Sequence, residues 1–150
     1  MHNAVSRWTL IIPTFCRPEF LTRSLSYYQS VVCPRLRIIV VDSSPEPIAQ
    51  KNSEIIENFE SPGLSVSQVR TDPPTKLFQK ISIGLEVCET EYVGLAADDD
   101  ILLISKASRY IDILEQNSDV FSASGMVAKL NLENAGSSER WTMKAFPQNL

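Results

Sequence analysis

Three adjacent carboxylates, Asp98-Asp99-Asp100, follow the apolar run Tyr92 to Ala97. Like charges side by side repel, and packing gives no reason to gather them. A divalent cation does: Mg²⁺ or Mn²⁺ takes hard oxygen ligands, often one or two carboxylates, and completes its shell with water and substrate phosphates. Helix capping competes with this reading, because Asp is a favoured N-cap and acids in a first turn suit the helix dipole. Capping accounts for one or two of the three acids, so Asp98, Asp99 and Asp100 are candidate metal ligands. A fourth acid, Asp42, closes the β-branched run Ile38 to Val41. It is placed either to accept hydrogen bonds from a base N–H or a ribose hydroxyl, or to form an Asx-turn with Ser43-Ser44-Pro45. Pro13-Thr14-Phe15-Cys16-Arg17-Pro18 forms a loop before a helix whose free N–H groups favour anions, and Arg17 adds a fixed positive charge. A solvated Arg ahead of a Pro-initiated helix is the plainer reading of that loop. Lys76 and Lys80 stand four residues apart, either facing a diphosphate or forming a solvated basic edge. No G-x-S-x-G, P-loop or G-x-G-x-x-G is present.

The elements that must position these residues alternate. Trp8 to Ile12 reads as a buried strand stopped by Pro13, and Pro18 starts a helix reaching about Ser30, with Phe20, Leu21, Leu25 and Tyr28 at helical spacing. Ile38 to Val41 is a second strand, of the kind buried on both faces. A helix over 47–59, a weak strand over 64–69, a helix over 77–88 and a strand over 92–97 follow. Next come an amphipathic helix built on Ile104, Ala107, Ile111 and Leu114, and two strands at 120–122 and 126–132; after Glu133 the pattern fades into polar residues. Successive β-α units imply an α/β sandwich with a mostly parallel sheet covered on both faces. Ligands bind such sheets at the carboxyl ends of the strands. Those ends are the three loops at Pro13–Arg17, Asp42–Pro45 and Asp98–Asp100.

A length of 150 residues suits one domain over 1–150. The net charge of −4 argues against non-specific nucleic-acid binding. No charge-free apolar run approaches the ~20 residues of a membrane helix, and the first residues lack a signal-peptide pattern. Cys16, Cys33 and Cys88 are far apart and form no C-x-x-C pair, which suits a reduced, cytoplasmic chain.

Together these pieces resemble the nucleotide-binding half of family 2 glycosyltransferases, which have the GT-A fold. Leu10 to Leu25 (LIIPTFCRPEFLTRSL) resembles their first strand, loop and helix, and Arg37 to Pro47 (RIIVVDSSPEP) their second strand and its acidic end. Ile81 to Asp100 (ISIGLEVCETEYVGLAADDD) resembles their third helix, fourth strand and DxD-type motif, and the likeness runs over 8–122. It implies a GT-A, Rossmann-like three-layer sandwich. Pro13 and Thr14 would line the base, Asp42 would bind it, typically as uracil, and Asp98 and Asp99 would hold the ribose and the metal, with Asp100 close by. In this register Ala97 stands where many members carry the first Asp, and a one-residue shift would pair Asp98 with Asp100. Ile81 and Ser82 replace the usual Arg and Asn, so Lys80 or Lys76 would supply the charge, and Cys16 replaces a common Asn.

The resemblance further implies a nucleotide-diphospho-sugar donor, Mg²⁺ or Mn²⁺, and glycosyl transfer with inversion to a saccharide or other hydroxyl acceptor. It places the chain in the cytoplasm or at the cytoplasmic face of a membrane. The acceptor part and general base of such enzymes would follow this region, so poor transfer and some self-association are expected of these residues alone. Glu133 and Glu139 are the acids left in the tail. The alternatives are a nucleotide-sugar binder without activity and a nucleotidyltransferase of related fold. The latter calls for a Gly-rich loop after the first strand, where Pro13 to Cys16 has no Gly. A phosphoacceptor signalling domain calls for an acidic pair at the end of that strand, which is Ile12-Pro13.

Overall fold

The computed structural model describes residues 7–31, 36–59, 63–125, 127–135 and 138–146. The chain separates into two compact units, Met1–Ala107 and Ser108–Leu150.

The first unit holds β1 (Trp8–Thr14), α1 (Pro18–Ser30), β2 (Leu36–Asp42), α2 (Ile48–Glu57), β3 (Leu64–Arg70), α3 (Leu77–Glu86) and β4 (Tyr92–Leu95). The strands form one sheet in the order β3-β2-β1-β4, and every pairing is parallel. β1 and β2 are apolar on both faces because both faces are covered. On one side Leu10, Ile12, Ile38 and Val40 pack with Leu21, Leu25 and Tyr28 of α1 and Ile56 of α2. On the other, Ile11, Ile39 and Val41 meet Ile83 of α3. Each fully buried aliphatic side chain here contributes about 1.5–3 kcal/mol. The result is the expected three-layer α/β sandwich.

Gly84 sets how closely α3 approaches the sheet. A Cβ at this position would lie 2.8 Å from Ile11 Cγ2 and 3.2 Å from Val41 Cγ2. The chain order turns back between β1 and β4, with β2 and β3 on one side of β1 and β4 on the other. At such a reversal open α/β sheets place their ligand crevice, here at the carboxyl ends of β1 and β4. In the register Thr14 lies opposite Asp42, and Ile11 lies opposite Leu95.

The second unit holds nearly all of α4 (Ala107–Gln116) and an antiparallel pair, β5 (Val127–Ala135) and β6 (Ser138–Phe146). Four expectations change from β4 onwards. The strand expected over 92–97 ends at Leu95, although the Ala96 N–H still reaches the Ile11 carbonyl at 3.2 Å. The strand expected at 120–122 does not form: Val120 closes a turn onto the Asn117 carbonyl, and Phe121 is 95% exposed. Three apolar-leaning residues without a pairing partner do not make a strand. The tail expected to fade after Glu133 instead carries β5 to Ala135 and then β6, where Trp141, Met143 and Ala145 alternate with polar residues. The helix expected from Ile104 begins as a short 3-10 turn, Ile104–Lys106, before α4.

Candidate functional site

Each acid singled out in the sequence ends a parallel strand or follows one, and the local chain explains how it is held. After β1, Cys16 takes a left-handed backbone with φ 55°, turning the chain so that its N–H donates to Ser44 Oγ at 2.8 Å. This ties the loop after β1 to the loop after β2. Ser43 N–H reaches the Thr14 carbonyl at 3.3 Å, a second tie between the same loops.

Asp42 is 1% exposed, and its carboxylate is fully engaged. Oδ1 accepts the Ser44 N–H at 2.8 Å, the Asx-turn that Asp-Ser-Ser-Pro allows. Oδ2 accepts Asn52 Nδ2 of α2 at 2.9 Å and Gln68 Nε2 of β3 at 3.1 Å. Asn52 is wholly buried, and its Oδ1 has no hydrogen-bond partner among the described residues. The Asp42 carbonyl accepts the Thr71 N–H at 2.9 Å. Asp42 is thus the hub that fixes the ends of β2 and β3.

Asp98 is 4% exposed and sits beside the end of β1. Its Oδ2 accepts the Thr14 hydroxyl at 2.7 Å, and its carbonyl accepts the Ser24 hydroxyl of α1 at 2.6 Å. One guanidinium nitrogen, Arg17 Nη1, reaches both Asp98 Oδ1 at 3.3 Å and Asp99 Oδ2 at 3.1 Å. Asp98, then Asp99, raises the Arg17 pKa further. Arg23 Nη2 donates to the Asp99 carbonyl at 3.0 Å. Phe20 lies between the two arginines, its ring centroid 5.5 Å from the Arg17 guanidinium carbon and 4.9 Å from that of Arg23. Asp99 and Asp100 are exposed, and the Asp100 N–H closes a turn on the Ala97 carbonyl at 3.1 Å.

The two lysines separate. Lys76 is exposed at the start of α3, where its N–H donates to Gln79 Oε1 at 3.1 Å. Lys80 is 5% exposed and donates to the Thr14 carbonyl at 2.9 Å. Burial lowers its pKa, opposed by the negative charges of Asp42 and Asp98. Its ammonium also lies 5.9 Å from the Phe15 ring centroid.

Around the crevice the structure therefore gathers Thr14, Arg17, Lys80, Asp98 and Asp99. Asp42 joins them through Lys80 and the Thr14–Ser43 link. Pro13 is partly buried and pairs with Val41 in the β1–β2 register. The residues not singled out in the sequence are others that hold the acids: Arg23, Ser24, Asn52 and Gln68. Ser24 and Asn52 are buried polar residues on helix faces otherwise directed at the core, and that interruption is the signal they leave.

Among the described residues no group of three or more His, Cys, Asp or Glu side chains is placed to hold a metal ion. Two carboxylates, Asp98 and Asp99, already face one cationic nitrogen. Their donor set suits Mg²⁺ or Mn²⁺, hard ions that take one or two carboxylates and draw their remaining ligands from water and phosphates. Among the described residues no helix is long and apolar enough to cross a membrane.

No family model matches the sequence, and no curated protein matches it. Solved structures do. TarS 1-349 from S. aureus is 22% identical, with a TM-score of 0.56 over 73% of this chain and 33% of that one. TarS 1-349 in complex with UDP gives 22% identity and a TM-score of 0.55 over the same shares, 73% and 33%. The mannosyltransferase PcManGT from Pyrobaculum calidifontis, in complex with GDP-Man and Mn²⁺, is 23% identical, with a TM-score of 0.58 over 72% of this chain and 32% of that one. The chain thus spans about one third of the length of these structures. What the likeness shows is the fold, a Rossmann-like α/β sandwich like that of these glycosyltransferase structures.

Proposed function

We propose that residues 1–150 form the nucleotide-sugar-binding domain of an inverting, family 2-like glycosyltransferase of the cytoplasm, using a UDP-sugar and Mg²⁺ or Mn²⁺. The observation that carries the reading is the convergence of Thr14, Lys80, Arg17, Asp98 and Asp99 at the turning point of strand order. Open α/β sheets bind their ligands at that point, so opposite charges gathered there are placed to meet one. The fold neighbours in complex with UDP and with GDP-Man and Mn²⁺ support the same reading.

In this reading the nucleotide base lies over Pro13 and Thr14, next to the loop that Asp42 holds. Asp98 and Asp99, with Asp100 beside them, would hold the metal. Bound there, the metal would supply Lewis-acid stabilisation of the departing diphosphate. The chain's own residues bind and orient. Thr14 fixes one oxygen of Asp98, so the carboxylate is aimed before any ligand arrives. Lys80 brings a buried positive charge between Asp42 and Asp98, and Arg17 a half-exposed one at the rim. Both suit a diphosphate. The acceptor is a saccharide or another hydroxyl compound, and its proton goes to a base outside the residues gathered here.

Calorimetry with UDP tests the reading. Binding is expected in Mn²⁺ and greatly weakened in EDTA, with GDP binding more weakly than UDP. Equal UDP affinity with and without metal refutes it. Transfer from labelled nucleotide-sugars to a broad acceptor panel separates an enzyme from a binder without activity.

A further inference from the structure

Arg17 occupies the place in which a metal ion would be useful. A single atom, Nη1, touches one oxygen of Asp98 and one of Asp99, at 3.3 and 3.1 Å. Asp98 does not depend on Arg17 for its position, since the Thr14 hydroxyl holds its other oxygen at 2.7 Å. The backbone of the pair is held separately again, by Ser24 on the Asp98 carbonyl and Arg23 on the Asp99 carbonyl. The carboxylates are therefore fixed by other groups, while the cation between them rides on a long side chain that is 49% exposed. Arg17 precedes Pro18 at the start of α1 and leans on the exposed ring of Phe20, so a way out towards solvent is open.

Two cations cannot share these oxygens without strong mutual repulsion. We propose that Arg17 is the resident counter-cation of the Asp98–Asp99 pair and is exchanged for the divalent metal. The proposal rests on the metal-binding reading above. Its consequence is a weak site for metal alone, since binding must first displace the guanidinium. The displaced Arg17, still at the rim, then faces the anionic ligand that arrives with the metal. Exchange thus makes metal and nucleoside diphosphate depend on one another, a reciprocal coupling.

Mn²⁺ titration of the full chain without nucleotide, followed by electron paramagnetic resonance of the free ion, tests the exchange. Arg17→Gln is expected to bind Mn²⁺ on the order of tenfold more tightly, the equivalent of losing two partly exposed ion pairs. Lys51→Gln removes one positive charge whose ion pair is with Glu19 in the first turn of α1 and touches neither carboxylate, so it is expected to change the affinity by less than about twofold. Asp99→Asn is expected to weaken Mn²⁺ binding. Unchanged or weaker binding by Arg17→Gln overturns the exchange, and so does an equal gain in Lys51→Gln, which would mark a long-range charge effect. If those results come with a loss of binding in Asp99→Asn, the metal-site reading stands and only the exchange fails. If Asp99→Asn binds Mn²⁺ as the parent does, the metal-site reading fails and the exchange fails with it.

Discussion

At the scale of single residues, Asp98 and Asp99 are neighbours with opposite duties. Asp98 is buried and holds β1 through Thr14, whereas the Asp99 side chain is 45% exposed and meets only the Arg17 guanidinium among the contacts that define the site. Asp98→Ala leaves the Thr14 hydroxyl without its acceptor, and a loss of about 1–3 kcal/mol in urea unfolding is expected. Asp99→Asn is expected to leave apo stability within about 0.5 kcal/mol while removing metal-dependent UDP binding. A large stability loss in Asp99→Asn would return the triple acid to the capping reading. Of the two roles weighed for Asp42 in the sequence, the Asx-turn is present, and the carboxylate in addition anchors Asn52 and Gln68. Asp42→Ala strands three donors and is expected to cost about 2–4 kcal/mol. Asp42→Asn, the gentler change, is expected to weaken UDP binding and narrow the preference for UDP over GDP in competition calorimetry. An unaltered preference would make Asp42 structural only. The acids themselves were legible because each stands where an apolar run stops. Their partners were not, because a Ser or Asn on a helix face declares its role only once the strands bring the loops together.

At the scale of elements, the strands were the most legible part. β1 and β2 are continuous apolar runs because helices cover both faces, and their ends place Thr14 and Asp42 side by side. The failures have local causes. The 120–122 segment has the composition of a strand without a partner, and β6 hid behind charged residues that alternate with apolar ones. What the sequence did not disclose is how α3 presents Lys80. Helical spacing puts Lys76 and Lys80 on one face, yet only Lys80 is buried, because Gly84, one turn further on, lets α3 settle onto Ile11 and Val41. Gly84→Ala gains about 1 kcal/mol of helix propensity. The added Cβ would nevertheless press on Ile11 side-chain atoms at 2.8 and 3.0 Å. Overpacking of this kind costs about 1–3 kcal/mol. The expected outcome is a net loss of stability together with weaker UDP binding, as α3 lifts and draws Lys80 from the Thr14 carbonyl. A stabilised variant with parental affinity would show that the contact between α3 and the sheet has slack.

At the scale of the molecule, the sheet of the first unit is asymmetric. β1 and β2 lie inside it, and β4 is its edge on the side of the crevice. In the parallel register Val93 and Leu95 stand beside Thr9 and Ile11, which places them on the face that α3 covers over β1 and β2. They remain 38% and 53% exposed, and at the end of α3 Leu85 and the following Val87 are 49% and 47% exposed. An edge strand with apolar side chains invites pairing with another strand, and natural proteins commonly block such edges with charge. No charged side chain interrupts Tyr92 to Leu95. Self-association of the chain through this edge is therefore expected. Sedimentation velocity checks it: the weight-average mass of the parent should rise above 16.8 kDa with concentration. Leu95→Lys should hold it at the monomer value. Because Leu95 is exposed, the substitution should shift stability by no more than about 0.5 kcal/mol, so a loss of association cannot be ascribed to unfolding. UDP binding in Mn²⁺ should persist in Leu95→Lys, since the side chain points to the α3 face and makes none of the contacts around Asp98. A parent that sediments as a monomer at all concentrations, or a Leu95→Lys variant that associates as the parent does, would rule out this edge as the contact.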